Sequence, residues 1–222
     1  MEKLAEFCTP AVPQFADIIG QMSRLNMFDS IILREEGGID KIVVAEKLRA
    51  HINKDFYLKI SCSDKNRIAL NCELITAASL GFSRLVLADG PHPLNTRFPS
   101  AKPVYDFDAL SLLRMLKQAG VPDMTPLHSL APWRVAICIG GTTKSDLARA
   151  EKSLSLGADS FFVSSKESVE QLRRITDRQI ILSVQAEAVR DFSSAENEAQ
   201  KAGADGINVV FNSTGADAWT IS

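Results

Sequence analysis

The strongest constraint on this fold is the alternation of short apolar runs with longer segments of helical period. The runs are mostly apolar throughout, which is typical of parallel strands covered by helices. Eight runs predict strands, at Leu4–Cys8, Phe28–Leu33, Phe56–Ser61, Arg84–Ala88, Arg134–Ile139, Ser160–Val163, Gln179–Val184 and Gly206–Phe211. Repeated strand–helix units indicate a parallel sheet with right-handed crossovers. We therefore predict an α/β protein whose residues 1–222 form a single (β/α)8 TIM barrel domain. An open doubly wound sheet is the alternative, because strand order is invisible in the sequence.

Amphipathic segments between these runs predict the helices. They are Phe15–Leu25, Asp40–His51, Asn66–Leu80, Asp108–Ala119, Ser145–Leu156, Ser168–Ile175 and Ser194–Ala202. A weak internal echo supports a repeated unit, since residues 156–163 resemble residues 202–209. The chain after the eighth run, residues 212–222, is too short and polar for an ordinary eighth helix. We expect that helix to be reduced or missing, and a second copy or a partner subunit to cover the gap.

Composition excludes several classes of function. With 222 residues, 45% of them hydrophobic, the chain is long enough for one well-buried core. The net charge is −2 and the basic residues are scattered, so we expect no binding to nucleic acid or to an anionic membrane. No apolar run approaches the ~20 residues of a membrane span, and the first residues do not resemble a signal peptide. These features predict a cytoplasmic protein.

Metal chemistry is not indicated either. The four cysteines and three histidines show none of the spacings typical of metal ligands. We expect no metal site and reduced thiols.

In a barrel of this kind the site lies at the carboxyl ends of the strands. Glu6 stands on an otherwise apolar first strand, where partial burial would suit a general acid. The residues alone favour a plainer interpretation, in which Glu6 is exposed near the chain terminus. Asp89 and His92 follow the fourth strand and could transfer protons, although Asp-Gly-Pro is also ordinary turn chemistry. They open a long, proline-rich loop, and long loops in compact domains are often functional.

A glycine-rich segment follows the fifth strand. Gly140-Gly141-Thr142-Thr143 precedes a predicted helix, where backbone N–H groups can hold a phosphate. The alternative is a simple loop whose threonine caps the helix. The chain has neither a GxGxxG motif nor a Walker A loop, so a Rossmann-type dinucleotide site is not supported.

An ordered set of motifs resembles the methylenetetrahydrofolate reductase family. Glu6-Phe7-Cys8-Thr9-Pro10 resembles the family's first strand, and the segment 59–67 is similar to its HLTCRDRN segment. Residues 80–87, followed by Gly90, resemble LGIxNxLALxGDPP, and the segment 98–108 is similar to the loop and helix start that follow. The likeness runs in order from residue 4 to about residue 185 and is strongest over 59–117.

This resemblance implies a (β/α)8 flavoprotein that holds FAD without a Rossmann motif. The family passes a hydride from NAD(P)H through FAD to a one-carbon tetrahydrofolate. By position, Glu6 matches the general acid toward the folate, and Asp89 supplies, one residue early, the carboxylate that tunes the flavin. The candidate cofactor-binding residues are Lys59, Cys62, Asp64, Tyr105, Asp106 and Asp146, together with Gly140 and Thr142 of the glycine-rich segment, where the family has an Asn-Pro pair. The candidate substrate-binding residues are Ser164 and Gln185.

The sequence departs from the family at several of these positions. The Gly-Asp-Pro after strand four reads Asp89-Gly90-Pro91, and Lys59 replaces a histidine. Ser164 replaces a pterin-binding glutamine. The segment between strands seven and eight is also much shorter. Three hypotheses therefore stay open: a minimal FAD-dependent reductase, a flavin-free folate-binding or partner subunit, and a barrel that binds a phosphate-bearing ligand at residues 140–143.

Overall fold

Eight parallel strands close into a barrel in the order in which they occur along the chain. The computed structural model describes residues 1–9, 26–118, 125–186 and 191–211. The strands are β1 (Glu2–Cys8), β2 (Ser30–Arg34), β3 (Asp55–Ser61), β4 (Arg84–Ala88), β5 (Arg134–Ile139), β6 (Ser160–Val163), β7 (Gln179–Gln185) and β8 (Gly206–Phe211). Because β1 pairs with both β2 and β8, no sheet edge remains. The predicted barrel is confirmed, and the open-sheet alternative is wrong.

Six helices alternate with the strands in the described ranges. They are α1 (Lys41–Arg49), α2 (Arg67–Ser79), α3 (Ala109–Lys117), α4 (Lys144–Leu156), α5 (Lys166–Arg173) and α6 (Phe192–Lys201). Each follows a residue whose side-chain oxygen accepts backbone N–H groups of the first turn, which is the usual way to satisfy these donors. The caps are Asp40, Asn66, Asp108, Thr143, Ser165 and Asp191.

Helices α5 and α6 begin two residues earlier than predicted. Ser165 accepts from the N–H of Ser168, and Asp191 accepts from the N–H groups of Ser193 and Ser194. These caps fix the first residues of the two helices at Lys166 and Phe192. The predicted helix Phe15–Leu25 and the segment 212–222 lie outside the described residues. No helix in the described ranges is both long and apolar enough to cross a bilayer.

The barrel interior is filled with side chains below its mouth. Alternate residues of each strand point inward, and seven of them form a compact apolar cluster: Leu4, Ile32, Tyr57, Val86, Ala136, Phe162 and Ile181. The other strand residues face outward and pack with the helices in a larger core. Two residues further along β1 and β3, the inward positions become polar, at Glu6 and Lys59. The barrel is therefore plugged at its centre and polar at its carboxyl end.

The two similar sequence segments, 156–163 and 202–209, make the same contact at the amino-terminal end of the barrel strands. Asp159, just before β6, accepts from the N–H of Val135 at 2.7 Å. Asp205, just before β8, accepts in the same way from the N–H of Ile180 at 2.8 Å. Each of the two carboxylates ties the start of one strand to the start of the strand before it.

We expect Asp159→Ala to lower the free energy of unfolding by about 1–3 kcal/mol, since it leaves the N–H of Val135 and the ammonium of Lys117 without this acceptor. Chemical denaturation measures the loss. The matched control is Asp177→Ala, because Asp177 is exposed and has no hydrogen bond or ion pair among the described residues. Equal losses in the two variants would contradict a role for the strand contact.

Candidate functional site

Glu6 lies inside the barrel at the level above the apolar plug. Glu6 is only 2% exposed, so the interpretation of Glu6 as an exposed residue near the chain terminus is wrong. The ammonium of Lys59 lies 2.7 Å from Oε1, and Nε of Arg34 lies 3.4 Å from the same oxygen. Nδ2 of Asn208 donates to Oε2 at 3.0 Å. The carboxylate is thus fixed by groups from β2, β3 and β8.

The charge of Lys59 follows from this arrangement. Burial opposes the protonated form, but the facing Glu6 carboxylate outweighs it and raises the pKa of Lys59. Burial also raises the pKa of the neighbouring Cys138 thiol, which keeps the thiol neutral while Lys59 stays charged. Glu6 and Lys59 therefore form an oriented ion pair rather than a pair of free groups.

Two buried oxygens beside this ion pair lack partners within the described part of the chain. Asn208 is fully buried, and its Nδ2 donates to Glu6 and to Ser183, but its Oδ1 accepts nothing. The hydroxyl of Ser61 is also unpaired. Buried polar atoms are normally satisfied, by protein or by water. The open acceptors mark a place where a water molecule or a ligand donor would bind.

A cavity of about 770 Å³, here called the barrel-mouth pocket, opens above Glu6. Pockets of this size hold small organic molecules. The walls come from the ends of β1–β4 and β8 and from the three connections that follow β2, β3 and β4. The lining residues are Glu6, Arg34, Glu35, Glu36, Gly37, Lys41, Lys59, Ser61, Ser63, Asp64, Lys65, Ala88, Gly90, Pro91, Pro93, Thr96, Arg97, Phe98, Ala101, Lys102 and Val210.

The long proline-rich loop forms one wall of this pocket. We call residues 89–108, between β4 and α3, the β4–α3 loop. The ring of Phe98 packs against Gly37, where a Cβ atom would lie 2.3 Å from Cε2 of the ring. Gly37 has φ +70°, so a side chain there is excluded by backbone strain as well. The close approach holds the loop against the β2–α1 connection and defines the pocket.

A largely buried network of four charges lies at the pocket, and three of its members, Glu35, Lys41 and Lys65, line it. Lys41 is 1% exposed and pairs with Glu73, which in turn lies 2.7 Å from the ammonium of Lys65. Glu35 pairs with Lys65 and lies 3.6 Å from Lys41. Burial opposes ionisation of Glu35, but Lys41 and Lys65 outweigh it and lower its pKa. This network joins α1 and α2 under the pocket and keeps the two lysines at its wall.

Three of the residues implied by the resemblance line the pocket: Glu6, Lys59 and Asp64. Cys62 is fully buried in the outer core, and burial raises its pKa to about 12. Asp89 points away from the pocket. Its Oδ1 accepts from the N–H of Ala109 at 2.9 Å, and both its oxygens pair with Arg149. Asp89 thus holds the start of α3 and joins it to α4.

The other carboxylates of the set are engaged at helix starts. Asp106 accepts from the N–H of Arg67 at 2.9 Å. Asp146 forms a capping box with Thr143, accepting from its N–H at 3.0 Å and from its hydroxyl at 2.7 Å. Tyr105 is 72% exposed. None of these three side chains lines the pocket.

The last four residues of the set follow other strands. Gly140 and Thr142 lie after β5, Ser164 after β6 and Gln185 at the end of β7, and all four are exposed and absent from the pocket lining. The residues expected to bind FAD are therefore spread over several helix starts and loops. They do not converge on one cavity, so the residues present do not fit a flavin site of the implied kind. Within the described ranges, no three His, Cys, Asp or Glu side chains group as metal ligands.

Sequence reasoning missed part of the pocket lining and two buried side chains that contact it. Lys41, Glu73, Arg97, Lys102 and Asn208 were not among the candidates. One signal was available: Asn208 is an amide in the apolar run Gly206–Phe211, at an inward position two residues from its start. The others lie on helices and loops, where nothing local distinguishes them from surface residues.

The four thiols differ in ways that chemical modification detects. Burial raises the pKa of Cys8, Cys62 and Cys138, whereas Cys72 is exposed on α2. We expect iodoacetamide at pH 8 to modify Cys72 first, because the thiolate is the reactive form and requires access. Mass spectrometry of peptides against time measures the order. Faster labelling of Cys138 would contradict the closed interior of the barrel.

Comparison with known proteins supports the fold. No family model matches this sequence, and no curated protein matches it. A ligand-free tryptophan synthase from M. tuberculosis shares 13% sequence identity, with a TM-score of 0.66 over 98% of this chain and 88% of that chain. A chain of the tryptophan synthase a2b2 complex from the hyperthermophile Pyrococcus furiosus shares 11% sequence identity, with a TM-score of 0.66 over 98% of this chain and 92% of that chain. At these identities the likeness shows a shared TIM barrel fold and nothing finer.

Proposed function

We propose that this chain binds a folate-type small molecule in the barrel-mouth pocket without using a flavin. The observation that carries the proposal is the position of Glu6, a buried carboxylate on the floor of a pocket of ligand size. Ligand sites of TIM barrels lie at this end of the strands. The resemblance of the first strand to folate-dependent reductases suggests the ligand class. The residues expected to bind FAD do not meet in one cavity, which argues against a bound flavin.

The floor of the pocket matches the chemistry of a pterin ring. A pterin presents several N–H donors along one edge, and an ionised carboxylate has about four acceptor positions. Three nitrogen atoms already contact Glu6, so the carboxylate retains room for a ligand donor. The unpaired hydroxyl of Ser61 lies in the same lining. Hydrogen bonds to an ionised group are about twice as strong as neutral ones, and they would orient the ring over the floor.

A reductase remains the second candidate, because Glu6 also occupies the position of the family's general acid toward folate. In that case the chain would use FAD and NAD(P)H. The position of Glu6 on the pocket floor supports this candidate, whereas Asp89, Asp106 and Asp146, which are engaged at helix starts, argue against it. We therefore derive no step through a flavin.

Absorbance and binding measurements separate these candidates. We expect the purified protein to be colourless, to take up no added FAD, and to bind tetrahydrofolate in a calorimetric titration. A yellow protein, or one that binds FAD stoichiometrically and oxidises NAD(P)H, would favour the reductase. A protein that binds neither tetrahydrofolate nor FAD would contradict both.

The proposal also includes binding to another protein subunit. One of the structural neighbours belongs to a synthase complex described as a2b2. The folate-binding barrel would then deliver or hold its ligand for another subunit, or for a second copy of itself. Light scattering on the purified chain tests self-association directly.

A further inference from the structure

We propose that Arg97 and Lys102 form a subsite for an oxyanion, a carboxylate or phosphate group of the ligand, at the outer rim of the barrel-mouth pocket. The inference deepens the proposed function, because it assigns a charge to the part of the ligand that points away from Glu6. It also places the anion on the β4–α3 loop rather than at Gly140–Thr143.

The first argument is the charge of the pocket lining. Four acidic residues line it: Glu6, Glu35, Glu36 and Asp64. Against them stand six basic residues: Arg34, Lys41, Lys59, Lys65, Arg97 and Lys102. The pocket therefore carries an excess of positive charge although the whole chain is slightly acidic. A net excess of one sign of charge in a concave surface favours ligands of the opposite sign.

The second argument is which of these cations remain available. Lys59 pairs with Glu6, and Arg34 pairs with Glu6 and Glu36. Lys41 and Lys65 belong to the buried network with Glu35 and Glu73. Arg97 and Lys102, in contrast, have no carboxylate partner among the residues that the structure describes. They are the two lining cations that can neutralise a ligand without breaking an ion pair.

The third argument is that one loop contributes both residues to the same pocket lining. The N–H of Ala101 donates to the carbonyl of Phe98 at 3.0 Å, which closes a turn over residues 98–101. Arg97 directly precedes this turn and Lys102 directly follows it. Both line the same pocket, so their charges act on the same space.

The fourth argument is that Arg97 is held in position. Its guanidinium lies 5.1 Å from the centre of the Phe98 ring, and Nη2 packs beside Gly37. Its charge reaches the end of β1: burial raises the pKa of Cys8, and Arg34 and Arg97 oppose that rise. A fixed guanidinium fork recognises carboxylate and phosphate through paired hydrogen bonds, and a neighbouring ammonium adds a point charge.

Amide NMR titrations of the full chain test the subsite, with inorganic pyrophosphate as the phosphate probe and glutarate as the carboxylate probe. We expect shifts at Gly37 and Gly90 with at least one probe, and the stronger probe identifies the preferred oxyanion. Arg97→Gln and Lys102→Gln are each expected to weaken binding by about tenfold. Arg97→Lys keeps the charge and loses the fork, so we expect an intermediate effect.

The matched control is Lys152→Gln, which removes an exposed lysine on α4 that has no ion pair among the described residues. Thermal melts establish that each variant is folded. Binding of neither probe, shifts confined to residues 140–143, or an equal loss in Lys152→Gln would overturn the subsite. The two proposals fail separately. Tetrahydrofolate binding without oxyanion binding would contradict only the subsite. Oxyanion binding without tetrahydrofolate binding would contradict only the folate assignment.

Discussion

Replacing Glu73 with leucine is expected to lower the free energy of unfolding by about 3–5 kcal/mol, since breaking a buried ion pair leaves an uncompensated charge. Lys41 is 1% exposed, and its ammonium pairs with Glu73 while lying 3.6 Å from Glu35. Without Glu73, the two lysines of the network share one carboxylate. Urea denaturation followed by circular dichroism measures the change.

Two further variants show whether the unpaired charge is the cause. In the double variant Lys41→Met with Glu73→Leu, Lys65 and Glu35 remain as a pair, and we expect most of the lost stability to return. Glu198→Gln removes one partner of an exposed ion pair with Lys166, a class of pair worth about 0–1 kcal/mol. If Glu73→Leu cost no more than Glu198→Gln, the buried network would not stabilise the fold.

The pH dependence of the wild-type protein gives an independent check on the network. Burial opposes ionisation of Glu35, but Lys41 and Lys65 outweigh it, so its pKa in the folded chain lies below the ordinary 4.5. A carboxylate with a lowered folded pKa contributes stability above its unfolded pKa and loses it as the pH falls. We expect the free energy of unfolding to fall as the pH drops below about 4.5, and to fall less steeply in Glu35→Gln.

Replacing Glu6 with glutamine is expected to weaken tetrahydrofolate binding by roughly 10- to 100-fold, the effect of losing a hydrogen bond to a charged acceptor. The amide keeps the size of the carboxylate but lacks its charge and one acceptor oxygen. Lys59 then lacks its counter-ion, and Arg34 keeps only its exposed partner Glu36. Calorimetric titration with tetrahydrofolate measures the affinity, and a thermal melt shows that the barrel is intact.

Glu36→Gln is the matched control for this experiment. Glu36 also lines the pocket and also pairs with Arg34, but its side chain is 48% exposed. We expect its loss to change affinity by less than about threefold, as is usual for an exposed ion pair. Equal effects of the two substitutions would mean that the floor of the pocket does not contact the ligand, and would remove the main support for the folate assignment.

The architecture of this protein was readable from the sequence because it depends on local pattern. Apolar runs of four to eight residues bounded by turn residues favour buried strands, and their alternation with helices favours parallel pairing. Closure of the sheet was visible only in the structure. The helix starts were readable for the same reason, since Asp40, Asn66 and Asp108 cap the helices that they precede. The inward position of Glu6 followed from resemblance and not from the strand pattern, which favoured exposure.

The composition of the site was decided by tertiary structure. Asp89, Asp106 and Asp146 stand where a loop meets a helix, and the sequence offers no means to distinguish a ligand contact from a cap. The structure shows that all three accept backbone N–H groups or cap hydroxyls. The sequence determined that polar side chains collect at the carboxyl end of a barrel. Which of them meet depends on contacts between distant residues: Glu6 and Asn208 are 202 positions apart and Lys41 and Glu73 are 32. Such pairs form only because barrel closure and helix packing bring the chain together, and no local propensity encodes them.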